Sequence, residues 1–151
     1  MPTLHVRRTG LPARYEIAGD GSPVTTISAR TAQHGGELDV SGRTYQLDGS
    51  AFGSTCVLRT QDGQVVASAE RDGLRGRRVA VGGREFRLAR TGLGSRNLEL
   101  VEGDTRVGSV RRGIRDAEAE LPELDRPAEV FVLVVALAMW RRRRKAVVIG
   151  R

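Results

Sequence analysis

From Thr3 to about Val110, apolar and polar residues alternate in short runs broken by turn residues. Strict alternation over four to eight residues marks half-buried strands, and many of them in succession mark an all-β sandwich or barrel. The candidate strands are 3–7, 13–18, 23–30, 37–41, 43–48, 54–60, 64–70, 77–81, 84–90, 96–101 and 105–111, with a possible twelfth at 117–121. No stretch with helical period interrupts them. Asp20-Gly21, Ser41-Gly42, Asp62-Gly63, Gly82-Gly83 and Gly103-Asp104 separate paired runs, and each can supply the positive φ of a tight hairpin. The expectation is a meander of hairpins.

The chain also repeats. Sliding it by 41 residues lays 39–71 on 80–112, matching Val40 with Val81, Gly42 with Gly83, Arg43 with Arg84, Leu47 with Leu88, Gly53 with Gly94, Ser54 with Ser95, Val66 with Val107, Ser68 with Ser109 and Arg71 with Arg112. Tyr45/Phe86 and Val57/Leu98 keep the chemistry, and a fainter earlier copy places Arg30 one step before Arg71. Repeats near 40 with four strands are also the signature of propeller blades. About two and a half units fall short of the four blades a propeller needs. A single closed barrel of about twelve strands uses the same hairpins and leaves no exposed edge.

After the strands, Val130 to Trp140 is an unbroken apolar run. As a helix it measures about 16 Å at 1.5 Å per residue, roughly half the ~30 Å of a bilayer's hydrocarbon core. Pro127 suits a first helical turn and Asp125 an N-terminal cap or near-cap. Acids precede the run (Glu118, Glu120, Glu123, Asp125, Glu129) and cations follow it, the order that complements a helix dipole. A central helix is therefore expected over about 126–144. Being apolar all round, it must be buried in a bilayer, an oligomer core or the protein's own interior. Eight strands make a barrel that side chains fill, whereas eleven or twelve enclose room for a helix.

Strand hairpins, then a proline, an apolar helix and a basic end together resemble the tubby C-terminal-like superfamily, which includes LURP-one-related proteins and phospholipid scramblases. The resemblance covers nearly the whole chain and rests on the hairpin order and on Asp125 to Lys145. It implies one domain over 1–151: a mainly β, twelve-stranded barrel of hairpin repeats (strands about 3–121) around a hydrophobic C-terminal helix, with a basic tail over 141–151. Tubby domains bind phosphoinositides through basic side chains on the barrel wall; no such position is matched residue by residue here. The scramblase likeness implies a calcium site, yet 116–125 lacks the spaced acid pattern of a calcium loop.

Charge then sharpens the picture. The formal net charge is +7 and the sequence pI about 11.0, which invites a polyanion partner. Arg141, Arg142, Arg143, Arg144, Lys145 and Arg151 carry nearly all of the excess, leaving 1–140 close to neutral. Lys145 is the only lysine, a skew that a GC-rich coding genome explains better than selected guanidinium contacts do. Residues 71–78 and 111–115 occupy equivalent places in the repeat, so Arg71, Arg75, Arg77, Arg78, Arg111, Arg112 and Arg115 are expected at one end of the barrel. If the tail emerges there, these cations and Arg141 to Lys145 form one face able to meet lipid phosphates. Five cations near an anionic leaflet contribute about 1 kcal/mol each. The competing reading is that they end the helix and satisfy its last carbonyls.

Catalytic and metal chemistry finds little support. His5 and His34 lie in different hairpins, and Cys56 as the single cysteine cannot complete a closed zinc site with them. A Cys56-His34-Asp39 triad can be written, but Cys56 lies in an alternating strand where small half-buried residues are ordinary. Gly92-Leu93-Gly94-Ser95-Arg96-Asn97 opens like a dinucleotide loop but has Asn97 where the third glycine belongs. Six scattered aromatics show no basic-aromatic alternation of a nucleic-acid-binding strand. The expectation is a non-enzymatic binding or scaffold module without metal or cofactor, cytoplasmic or peripheral at the inner face of a membrane, with anionic lipid as the candidate partner. A tail-anchored membrane protein, a basic nucleic-acid-binding protein and a hydrolase using Cys56 or His34 are the alternatives.

Overall fold

A computed structural model describes residues 3–49, 55–73, 76–91, 97–113 and 116–149, with 141–149 described by their backbone alone. Twelve strands and two helices follow in the order β1 (Thr3–Thr9), β2 (Arg14–Gly19), β3 (Ser22–Ser28), α1 (Ala29–His34), β4 (Gly36–Val40), β5 (Arg43–Gly49), β6 (Thr55–Thr60), β7 (Val65–Asp72), β8 (Gly76–Val81), β9 (Arg84–Arg90), β10 (Leu98–Glu102), β11 (Thr105–Arg112), β12 (Asp116–Glu120) and α2 (Arg126–Ile149). All pair antiparallel in one sheet ordered β3-β2-β1-β12-β11-β10-β9-β8-β7-β6-β5-β4. The hairpin meander expected from the alternation is present, and the sheet rolls into a nearly closed barrel around α2.

The first and last strands complete the repeat. β12 follows β11 as β8 follows β7, and it pairs with β1 through the register Leu4 to Ala119 and Val6 to Ala117. The incomplete third unit is thus made whole by β12 joining β1, β2 and β3, and three four-stranded units make one barrel instead of separate blades. The gapless alignment slips in one place. Leu47 faces Leu58 across β5 and β6, whereas Leu88 faces Leu100 across β9 and β10. Leu98 is therefore equivalent to the buried Cys56 and not to the half-buried Val57. A one-residue offset turns a strand's side chains to the other face. Both hairpins carry an equivalent bulge, at Leu58/Arg59 and at Leu100/Val101, and the offset returns to 41 across the β10–β11 turn, which is one residue shorter: Arg59 pairs with Val65, whereas Val101 pairs with Arg106.

One interruption escaped the strand pattern. The expected strand 23–30 stops at Ser28, whose hydroxyl accepts a hydrogen bond from the Thr31 amide at 3.0 Å and caps α1. The Ala29 amide donates to the Ala13 carbonyl at 2.9 Å. Ala29 and Ala32 turn inward, and Gly35 ends the helix at φ 87, where a Cβ would stand 2.6 Å from the Leu47 carbonyl oxygen. Only glycine fits there. Arg30 accordingly sits exposed in α1 and is not the strand-end equivalent of Arg71 and Arg112. Because α1 separates β3 from β4, no backbone ladder joins those two strands; the Thr25 hydroxyl donating to the Asp39 carbonyl crosses the seam.

Inside the barrel, Val130 to Ala136 are at most 1% exposed. Their packing partners include Leu4, Val6, Ile17, Leu47, Leu58, Phe86, Leu88 and Leu100. Fully burying such side chains stabilises the fold by about 1.5–3 kcal/mol each. The helix lies closest to β7 and β8, where Ala67 and Ala69 leave it room. No helix among the described residues is long and apolar enough to cross a membrane. The barrel thus supplies the dry environment that the apolar run demands.

The helix starts at Arg126 as expected, and the Asp125 carbonyl accepts the first intrahelical bond from the Glu129 amide at 3.0 Å. It runs past the expected end at 144 to Ile149. Arginine and lysine are good helix formers, and no glycine intervenes before Gly150. Arg141 to Lys145 therefore lie within the helix, and its last turn holds no basic residue. The reading in which these cations end the helix is overturned.

Candidate functional site

Antiparallel order sends the turns alternately to two ends. The near end, where α2 begins, holds the hairpin turns at Asp20, Ser41, Asp62, Gly82 and Gly103 together with 121–125. The far end, where α2 leaves, holds the β1–β2 turn, α1, the ends of β7, β9 and β11 and the starts of β8 and β12. The guanidinium carbon of Arg112, at the end of β11, lies 5.5 Å from the Trp140 ring centroid. That contact places the basic end of α2 at the end shared by Arg71, Arg77, Arg78, Arg111 and Arg112. Arg75 and Arg115, and the side chains of Arg141, Arg142, Arg143, Arg144 and Lys145, lie outside the described residues.

Strand alternation sorts these arginines. Arg71 is in phase with the inward Ala67 and Ala69, Arg77 with Val79, and Arg112 with Val110. Arg78 and Arg111 point to the outer wall and meet acids there: Arg78 lies 3.1 Å from Glu70 and 3.5 Å from Glu85, and Arg111 lies 3.4 Å from Glu118. Arg59, Arg84, Arg87 and Arg106 are likewise matched to carboxylates. By contrast Arg8, Arg14, Arg30, Arg43, Arg71 and Arg77 have no carboxylate within 4.0 Å among the described residues. All but Arg43 stand at or beside the far rim.

Arg77 is the unusual member, 5% exposed. Its Nη1 donates to the Gly76 carbonyl at 3.0 Å, and its Nε is sealed from solvent without a partner. Burial pushes its pKa below the ordinary arginine value, and the Arg71 charge adds to that shift. Arg71 and Arg77 are cross-strand partners, a like-charge juxtaposition that costs energy unless something neutralises it. Leu11, at the tip of the β1–β2 turn on the same end, is 99% exposed. Sequence reasoning missed the rim positions of Arg8, Arg14, Arg30 and Leu11, because only the pairing of β12 with β1, and of β1 with β2 and β3, brings them to the same end as Arg112. The inward aim of Arg77 was legible in its alternation with Val79.

The near end is acidic. Asp20, Glu123, Leu124, Asp125, Arg126 and Glu129 line a cleft there. Glu129 is buried and pairs with Arg126 at 3.2 Å, and Arg126 reaches Asp20 at 3.8 Å. Gly19 leaves space for this arginine, since a Cβ there would meet its Nη1 at 2.6 Å. Burial raises the pKa of Glu129 against the opposing pull of Arg126, with Asp20 and Asp125 adding to the rise. Charge therefore runs from acidic to basic along the axis of α2, the order that complements its dipole.

The written triad is not assembled. Cys56 is buried in β6, and burial together with Asp48 pushes its thiol up to about 11. His34 is exposed in α1, and Asp39 accepts a hydrogen bond from Thr44 at 2.6 Å. No group of three or more His, Cys, Asp or Glu side chains among the described residues is arranged to hold a metal ion. No protein-family model, no curated protein and no solved structure matches this chain.

Proposed function

We propose that the chain is a tubby-like binding module that docks its far rim on anionic membrane surfaces and carries out no catalysis of its own. The observation that supports this most is the sorting of arginines. Arg59, Arg78, Arg84, Arg87, Arg106 and Arg111 are matched to carboxylates, whereas Arg8, Arg14, Arg30 and Arg71, at the rim from which α2 leaves, have no carboxylate within 4.0 Å among the described residues. Arg8, Arg14, Arg30 and Arg71 form the rim, Arg112 stacks on Trp140, and the helix continues outward through Arg141 to Lys145. Unpaired cations near an anionic leaflet attract it by about 1 kcal/mol each. Leu11 stands among them as an apolar tip able to enter the headgroup region.

Docking by the rim keeps the apolar run inside the barrel, where a tail-anchored protein would have to withdraw it. The test is sedimentation with phosphatidylserine-containing vesicles across a salt series, comparing the native chain with one in which Arg141 to Lys145 are glutamine. The native chain should bind in low salt and release in high salt, with weaker binding by the variant. Equal binding by both would remove the tail from the docking face.

A further inference from the structure

Within the far mouth, Arg71 and Arg77 stand opposite each other across β7 and β8, with no carboxylate within 4.0 Å of either among the described residues. Arg77 is almost fully buried, and its Nε points at no acceptor. Its partner Arg71 lies on the same inner face at an exposed strand end. Barrel cores ordinarily exclude unpaired charge, and guanidinium cannot escape by losing its proton. The outer faces of β7, β8 and the adjoining β9 solve the problem with acids: Arg78 has Glu70 and Glu85, and Arg87 has Asp72 at 3.1 Å. The inner pair has none among the described residues.

We propose that Arg71 and Arg77 form a seat for one phosphate-like dianion inside the far mouth of the barrel. Two guanidinium groups offer paired N–H donors that match tetrahedral oxyanions, and charge-assisted bonds of this kind are the strong ones. Arg71 provides the open side from which the anion enters, and Arg77 the desolvated floor on which it rests. The anion is either the headgroup of a phosphomonoester lipid or a free phosphate compound. The seat rests on the docking reading only for the first of these sources.

The test uses the full chain and its Arg77→Met variant, whose side chain is neutral and of similar length. In phosphate-free chloride buffer the variant should melt higher than the native chain, because an uncompensated charge has left the core. Inorganic phosphate should raise the native melting temperature as a ligand that binds only the folded state does, and should leave the variant unmoved. Vesicles of phosphatidylcholine with phosphatidic acid should bind the native chain about tenfold more tightly than the variant if a lipid supplies the anion. Equal vesicle binding with an intact phosphate response assigns the seat to a free phosphate compound. A phosphate response without any vesicle binding keeps the seat and removes the docking reading. A native chain that does not respond to phosphate beyond matched ionic strength, or a variant that responds equally, overturns the seat whether or not vesicles bind.

Discussion

Arg112 lies 5.5 Å from the Trp140 ring centroid, joining the end of β11 to the end of the buried apolar run. This contact fixes the direction of α2 relative to the repeat and puts Arg71, Arg77, Arg78, Arg111 and Arg112 on the side where the helix leaves. A cation over an indole face contributes about 0.5–2 kcal/mol depending on its desolvation. Arg112→Gln should therefore lower unfolding free energy by about that amount, and in a Trp140→Phe background the loss should shrink. A double-mutant cycle by urea denaturation measures the difference, and additive losses would remove the coupling.

Glu129 gives the fold a pH signature. Its pKa is raised in the folded state, chiefly by burial, so the folded chain holds this proton more tightly than the unfolded one. Its contribution is fully present below the ordinary carboxylate value and is lost as pH rises through the raised one. Glu129→Gln cannot lose a proton. The melting temperature of the variant minus that of the native chain should increase from acid toward neutral pH and then level off. A difference that is flat across this range would contradict the burial of an ionisable group at the start of α2.

The central helix predicts two unequal substitutions. Leu133 is 1% exposed, while Leu137 is only half-buried against the core. Leu133→Asp puts an unpaired carboxylate among apolar side chains and should prevent barrel formation, and Leu133→Ala should cost about 2–5 kcal/mol. Leu137→Asp should be the milder change. Circular dichroism and denaturant titration read all three, and strand signal with unchanged melting in Leu133→Asp would sink the enclosed-helix architecture.

The barrel and its helix were legible because alternation along β5 or β9 and the unbroken Val130–Trp140 run are local signals. The slip between Val57 and Leu98 was not, because a gapless alignment ignores an extra residue that a shorter turn later offsets. Nor was α1: its six residues are too few to show a helical period, and Gly35 is required by the Leu47 carbonyl from a different hairpin. The continuation of α2 to Ile149 followed from propensity that the basic run had masked as a stop signal. The rim was half legible, since Arg71 and Arg112 sit at equivalent repeat positions. Its other half depends on β12 returning to β1, a pairing between strands far apart in the chain.

Docking by the far rim depends on where the cations stand, not how many there are. Vesicle sedimentation at low salt should compare two variants of equal charge loss: Arg8, Arg14 and Arg30 to glutamine at the far rim, and Arg43, Arg59 and Arg106 to glutamine elsewhere on the barrel. At about 1 kcal/mol per cation near an anionic surface, the rim variant should bind roughly a hundredfold more weakly, while the other variant stays near the native chain. Equal weakening of both, or no binding by the native chain, would contradict a docking face at the end where α2 leaves the barrel.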